Sequence, residues 1–117
     1  MLKVKRVYEA AEKSDGVRFL VERLWPRGMN KEKLKMNAWV KEAAPSADLR
    51  RWFDHDPLKW TEFQKRYRAE LTKNPSAWKP ILEAAEKGDV TLLYSAHDTE
   101  HNNALTLLSF LEKRLGK

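Results

Sequence analysis

The stretch Leu92-Leu93-Tyr94-Ser95-Ala96-His97-Asp98-Thr99-Glu100-His101-Asn102-Asn103 decides how this chain is read. An apolar run breaks into a cluster of polar, titratable groups. It then restarts with helical spacing at Ala104, Leu107, Leu108, Leu111 and Leu115. A buried strand reads this way when it delivers side chains and backbone N–H groups to a pocket at the mouth of an α/β sheet. The strand is expected over residues 90–94 and the closing helix over residues 99–115, with Asp98 or Thr99 as its N-cap. The pattern locates a site without naming its chemistry.

Working outward, residues 2–8 alternate aliphatic Leu2, Val4 and Val7 with Lys3, Lys5 and Arg6, as a strand with one exposed face does. Ser14-Asp15-Gly16 is a turn signal. Residues 17–24 are β-branched and apolar enough for a second, more central strand. Trp25-Pro26-Arg27-Gly28 halts it, since Pro lacks a ladder donor and Gly28 permits positive φ. Ala38-Trp39-Val40 is too short to assign. The middle is helical: Ser46 caps a short helix through Phe53, and Asp56-Pro57 starts one whose face is Trp60, Phe63, Tyr67 and Leu71. Asn74-Pro75 starts another that Gly88 closes. Strands at the front and back with helices between imply an α/β fold, one domain over residues 1–117, with a small, largely parallel sheet flanked by helices.

Composition limits the chemistry. The 117 residues are 42% hydrophobic and include five Trp, four Phe and three Tyr, which suits a folded chain with a real core. No cysteine is present, so disulfides, a thiolate nucleophile and a thiolate-ligated zinc are excluded. The first residues lack the apolar core of a signal peptide, and no apolar run approaches the roughly 20 residues of a membrane span. The expected location is the cytoplasm, with no membrane partner. A net charge of +6 favours anionic partners in general. The densest basic patch, Lys31-Glu32-Lys33-Leu34-Lys35, contains an acid and also reads as a solvated face.

Several motifs occur together. Asp15-Gly16 leads into Leu20-Val21-Glu22-Arg23-Leu24-Trp25-Pro26-Arg27-Gly28, and Lys41-Glu42-Ala43-Ala44-Pro45-Ser46 and Leu49-Arg50-Arg51-Trp52-Phe53 follow. Tyr67-Arg68-Ala69-Glu70-Leu71 and Leu92-Leu93-Tyr94-Ser95-Ala96 complete the set. In order and nearly end to end, these resemble the YeaO-like family, domain of unknown function 488. The resemblance implies the fold and little chemistry. Longer members of the wider family carry a Cys- and His-containing loop after the last strand, somewhat like that of rhodaneses. Here Tyr94 stands where the Cys would be, and Asn102-Asn103 where Cys-His would follow, so sulfur transfer does not carry over.

The candidate site residues come from both strand ends. Arg23 and Arg27 flank Trp25-Pro26, and two guanidiniums on a stiff segment bind phosphate or carboxylate in bidentate fashion. Alternatively, one of them pairs with Glu22 or Glu42. Trp25 would wall or stack on the ligand. Ser95, Asn102 and the first free N–H groups of the final helix would complete an anion pocket, beside which His97, Asp98 and His101 would transfer protons. The alternative is capping within an exposed polar loop. His97-Asp98-Thr99-Glu100-His101 matches H-x-x-E-H, but at a strand-to-helix turn and without a third ligand, so no metal and no cofactor is expected. His55, between Asp54 and Asp56, either edges the pocket or belongs to a polar helix connection.

The leading expectation is a protein that binds a small anionic or phosphorylated ligand, with or without turning it over, at the carboxyl ends of its strands. The alternatives are a nucleic-acid-binding protein, for which no motif is present, and a non-catalytic interaction domain. Oligomeric state is not legible.

Overall fold

The computed structural model describes residues 1–116. Four parallel strands make one sheet in the order β1-β4-β2-β3, with β1 Leu2–Arg6, β2 Val17–Leu20, β3 Ala38–Trp39 and β4 Val90–Tyr94. Five helices follow the chain as α1 Lys31–Leu34, α2 Ala47–Phe53, α3 Trp60–Lys73, α4 Pro75–Lys87 and α5 Asn103–Arg114. The expected α/β class with a parallel sheet is what the chain forms.

Register fixes the two faces. Leu2 pairs with Val90 and Arg6 with Tyr94, while Val17 pairs with Val90 and Leu20 with Leu93. Because side chains alternate along a strand, Leu2, Val17, Phe19, Val90, Leu92 and Tyr94 share one face. That face is covered by α2 to α5 through Leu49, Phe63, Tyr67, Ile81, Leu107 and Leu111, all buried. Lys3, Lys5, Arg18, Leu20, Thr91 and Leu93 fall on the other face. There Val7, Leu20, Leu93 and Leu34 form a smaller cluster, roofed by Trp25, Met29, Met36 and Trp39 from the chain after β2. β4 is buried along its whole length, which explains its unbroken apolar sequence.

Several boundaries differ from the sequence reading. The second strand ends at Leu20, not at residue 24, because Val21 makes the last bond toward β4, to the Leu93 carbonyl, and the chain then turns away. Ala38–Trp39 is a strand, held only by Phe19 and Leu20. Asp56 caps a single 3-10 turn, Pro57–Lys59, before α3 begins. Gly16 is the turn that delivers β2: its φ is +63°, and a Cβ there would meet the Asp89 carbonyl at 2.0 Å.

Behind Gly16 lies a buried ionic cluster. Asp15 is fully buried and pairs with Arg18, with Lys5 at 3.0 Å and with Lys3 at 3.1 Å, and it also accepts the Glu12 N–H. Burial alone would raise the Asp15 pKa, but these donors and cations hold it well below the carboxylate range.

Candidate functional site

β1, β2 and β4 are parallel neighbours, so Arg6, Glu22 and Ser95 emerge from one edge of the sheet. The Glu22 carboxylate accepts both the Ser95 N–H at 2.8 Å and the Ser95 hydroxyl at 3.1 Å. Asn103 at the start of α5 donates to the Val21 carbonyl at 2.7 Å, and the Trp39 indole donates to the Glu22 carbonyl at 2.6 Å. The ends of β2 and β4 are thereby tied to each other and to α5.

Charge around Glu22 is unevenly compensated. Burial pushes its pKa above the ordinary glutamate value, opposed first by the two Ser95 bonds and then by the fields of Arg50 and His55. Arg50 lies on α2, and its Nε is buried with no hydrogen-bond partner among the described residues. His55 follows the left-handed cap of that helix and itself has φ +55°. Tyr67 is buried beside the cluster and donates to the Ala43 carbonyl. Glu22 and Arg50 were not among the site residues foreseen, and His55 was only one of two readings. The usable signal for Arg50 was its place between Leu49 and Phe53, both buried on the inner face of α2.

The 95–102 loop is tied down locally. Arg6 donates to the Ala96 carbonyl at 2.9 Å and the Ser95 carbonyl at 3.3 Å, and approaches His97 Nδ1 at 3.5 Å. Asp98 accepts the N–H groups of Glu100 and His101 and meets His101 Nδ1 at 2.9 Å. The Glu100 N–H, with His101, holds the Asp98 pKa below its ordinary value. The His101 ring packs edge-on against Trp60 with centroids 5.4 Å apart.

Asp98 and Thr99 are not the N-cap of the final helix. Asn102 is, accepting the Leu105 N–H at 3.1 Å while its amide donates to the Asp98 carbonyl at 3.0 Å. Asp98 instead closes a turn, so α5 starts at Asn103. Asn102 is 3% exposed and spends both polar atoms in this way.

The two arginines go separate ways. Arg23 donates to the Pro45 carbonyl at 3.1 Å and the Ala44 carbonyl at 3.3 Å, with the exposed Glu42 3.9 Å away. Trp25 donates to the Met29 carbonyl at 2.5 Å and packs against Trp39 beneath the second face of the sheet. Arg27 is exposed, and its carbonyl accepts the Tyr8 hydroxyl at 2.8 Å. Trp60, against which His101 leans, belongs to the helical face. The Trp25 and His101 rings therefore pack against different faces of the sheet, while the Arg27 carbonyl meets Tyr8, whose ring lies under the Arg6 guanidinium at 5.0 Å, and Arg6 in turn approaches His97.

Among the described residues no three His, Asp or Glu side chains are grouped as a metal would need. No helix among them is long and apolar enough to cross a membrane.

The family model described as "Inactive DUF488-N3 subclade" matches residues 1–117. The chain is 44% identical over 110 residues to Uncharacterized protein YeaO of Escherichia coli (strain K12), covering 94% of this chain and 96% of that one. It is 34% identical over 113 residues to Uncharacterized protein Rv3073c of Mycobacterium tuberculosis (strain H37Rv), covering 97% and 95%. Uncharacterized protein Mb3100c of Mycobacterium bovis matches to the same extent. No solved structure gives a significant match.

Proposed function

Because this chain belongs to the DUF488 family, in its inactive N3 subclade, we propose that it binds a small phosphorylated metabolite or nucleotide without turning it over. The site is the edge where β2 and β4 end. The observation that carries this reading is Arg50, whose Nε, like that of Arg68, is buried without a partner among the described residues, and whose charge acts on the half-buried Glu22. A buried guanidinium donor left open is costly unless something accepts from it. A phosphate oxygen is the acceptor that guanidinium geometry suits best. Arg50 and His55 would face the phosphate, and Glu22 would accept hydroxyl groups of the same molecule. Ser95 would act indirectly, by orienting Glu22. Arg27, exposed and with only its carbonyl engaged, would contribute little.

Proton transfer by His97, Asp98 and His101 is the catalytic form of the same reading. The subclade's description as inactive favours the binding form, as does the engagement of Asp98 with its own turn.

Thermal melts with phosphate, sulfate and a panel of nucleoside phosphates test the proposal. A ligand at about 100 times its Kd stabilises by about 2.7 kcal/mol, which a melt resolves easily. The rise should vanish in Arg50→Gln and persist in Arg27→Gln. If no anion raises the wild-type Tm, or if both variants respond like wild type, the proposal fails.

A further inference from the structure

The chain between β2 and the turn after β3 forms a closed loop on the second face of the sheet. Trp25 and Trp39 meet with centroids 5.4 Å apart and close it, and the Trp39 indole is pinned to the Glu22 carbonyl. Its apolar side chains, Leu34, Met29 and Met36, turn toward Val7, Leu20 and Leu93. Outward stand Leu24, 67% exposed at the start of the loop, and charge: Arg27, Lys31, Lys33, Lys35 and Lys41 are all exposed, with the exposed acids Glu32 and Glu42 among them. Over residues 21–43 six Lys and Arg stand against Glu22, Glu32 and Glu42, a net +3 of the chain's +6, and the cations concentrate in residues 27–41.

None of the five cations forms an ion pair among the described residues, and neither do Lys65, Lys79 and Lys113 of α3, α4 and α5; what sets the loop apart is five cations within 15 residues. Lys41 lies only over the Trp39 ring, at 4.1 Å.

The loop is also held rigidly, and by an expensive device. Buried Arg18 donates to the Leu34 carbonyl at 2.7 Å and the Lys35 carbonyl at 3.1 Å, capping the single turn of α1. Lys35 there adopts φ +51°, a conformation that side-chain-bearing residues rarely take. Asn37 adds paired bonds to the Arg18 backbone. The buried Asp15–Arg18 pair therefore serves to fix a loop whose outer surface is lysine. Compact loops closed at their ends and packed by their own side chains are frequently functional.

We propose that this loop docks on the phosphate backbone of nucleic acid. A protein partner of this surface would need an apolar anchor at its centre; the exposed Leu24 stands seven residues before Lys31, and Leu34, the apolar residue of α1, is buried. A phosphate backbone needs only spaced, unpaired cations on a firm support, and reads no further chemistry. The proposal is independent of the small-ligand site, whose reporter is Arg50 on the opposite face.

Fluorescence anisotropy of a short labelled DNA duplex, titrated at several salt concentrations, tests it. Binding should weaken as salt rises. The variant carrying Lys31→Ala, Lys33→Ala and Lys35→Ala should lower the slope of log affinity against log salt by about 2–3, at roughly 0.9 per phosphate contact. A control with Lys65→Ala, Lys79→Ala and Lys113→Ala removes three equally exposed lysines from α3, α4 and α5. It should change the slope far less. Because all six side chains are exposed, melting curves should show both variants folded. Equal losses in the two variants would mean bulk charge attraction and overturn the proposal. So would absence of duplex binding at low salt, or preferential binding of a polyglutamate peptide, which would reassign the loop to an acidic protein partner.

Discussion

Two acidic residues, one at each end of β2, meet opposite treatment. Asp15, just before the strand, is fully buried yet met by Lys3, Lys5, Arg18 and a backbone N–H, and its pKa is driven down. Glu22, just after it, is half-buried, and among the described residues its carboxylate's hydrogen bonds come from Ser95 alone, with no cation in contact. Its pKa is driven up by burial. The first carboxylate belongs to the framework, because its charge is compensated within the fold. The second is left short of compensation, within the field of Arg50, whose Nε is itself short of a partner among the described residues. Perturbed, incompletely paired groups at strand ends are where a binding site is sought.

The comparison breaks most visibly at Asp15. Asp15→Ala leaves Arg18 buried with its carboxylate gone and removes the support of α1, so unfolding free energy should fall by about 3–5 kcal/mol. Urea unfolding at neutral pH measures this. A loss near that of an ordinary surface substitution would mean that Arg18 finds water instead and that the cluster is not structural. The pH sense follows from the lowered pKa. Asp15 contributes its stability in full above its ordinary value of 3.8, and that stability is lost as pH falls through the depressed folded value. The acid limb of the wild-type stability curve should therefore flatten in the variant.

A smaller effect belongs to Asn102, which shows that the carboxyl edge also holds purely structural polar groups. Asn102→Ala removes the α5 cap and the bond to Asp98, and should cost about 1 kcal/mol, the usual range being 0.5–2. Ligand-induced shifts in Tm should survive it. Loss of those shifts with little loss of stability would return Asn102 to the site in which the sequence placed it.

How far the sequence reached is explained by the range of the forces involved. The parallel sheet was legible because burial on both faces leaves an unbroken apolar run in β4, and half-burial leaves alternation in β1. The helix start at Ser46 follows from its side-chain cap, and that at Asn74-Pro75 from proline at the first helical position. β3 was not assigned, since two residues carry no periodicity and only Phe19 and Leu20 across the ladder define them. The α5 cap was misplaced because Asp98, Thr99 and Asn102 all have capping side chains, and only tertiary packing assigns Asp98 to a turn. Strand-end logic put Ser95 at the edge where β2 and β4 end. It could not bring in Arg50, 28 residues from Glu22 in sequence, nor tell that Trp25 and His101 cover different faces of the sheet.

The finest test of the comparison is Glu22→Gln. The neutral amide keeps an oxygen to accept from Ser95 and removes the charge that burial penalises. Glu22 has a raised folded pKa, so the folded state binds more protons than the unfolded one from pH 4.5, its ordinary value, up to that raised value. Stability attributable to Glu22 is therefore present below this window and is lost as pH rises through it, opposite in sign to Asp15. The variant should be as stable as wild type in acid and slightly more stable at neutral pH, by no more than about 1 kcal/mol. Denaturant midpoints measured across that pH range would show the two curves diverging upward from pH 4.5. If they stay parallel, Glu22 is compensated after all and the two carboxylates do not differ in kind. If they diverge while the melting response to nucleoside phosphates falls, Glu22 has been keeping an energetically unfavourable charge for the sake of a ligand's hydroxyl groups. A divergence with an unchanged ligand response would confine Glu22 to joining the ends of β2 and β4, and would leave Arg50 alone to hold the phosphate.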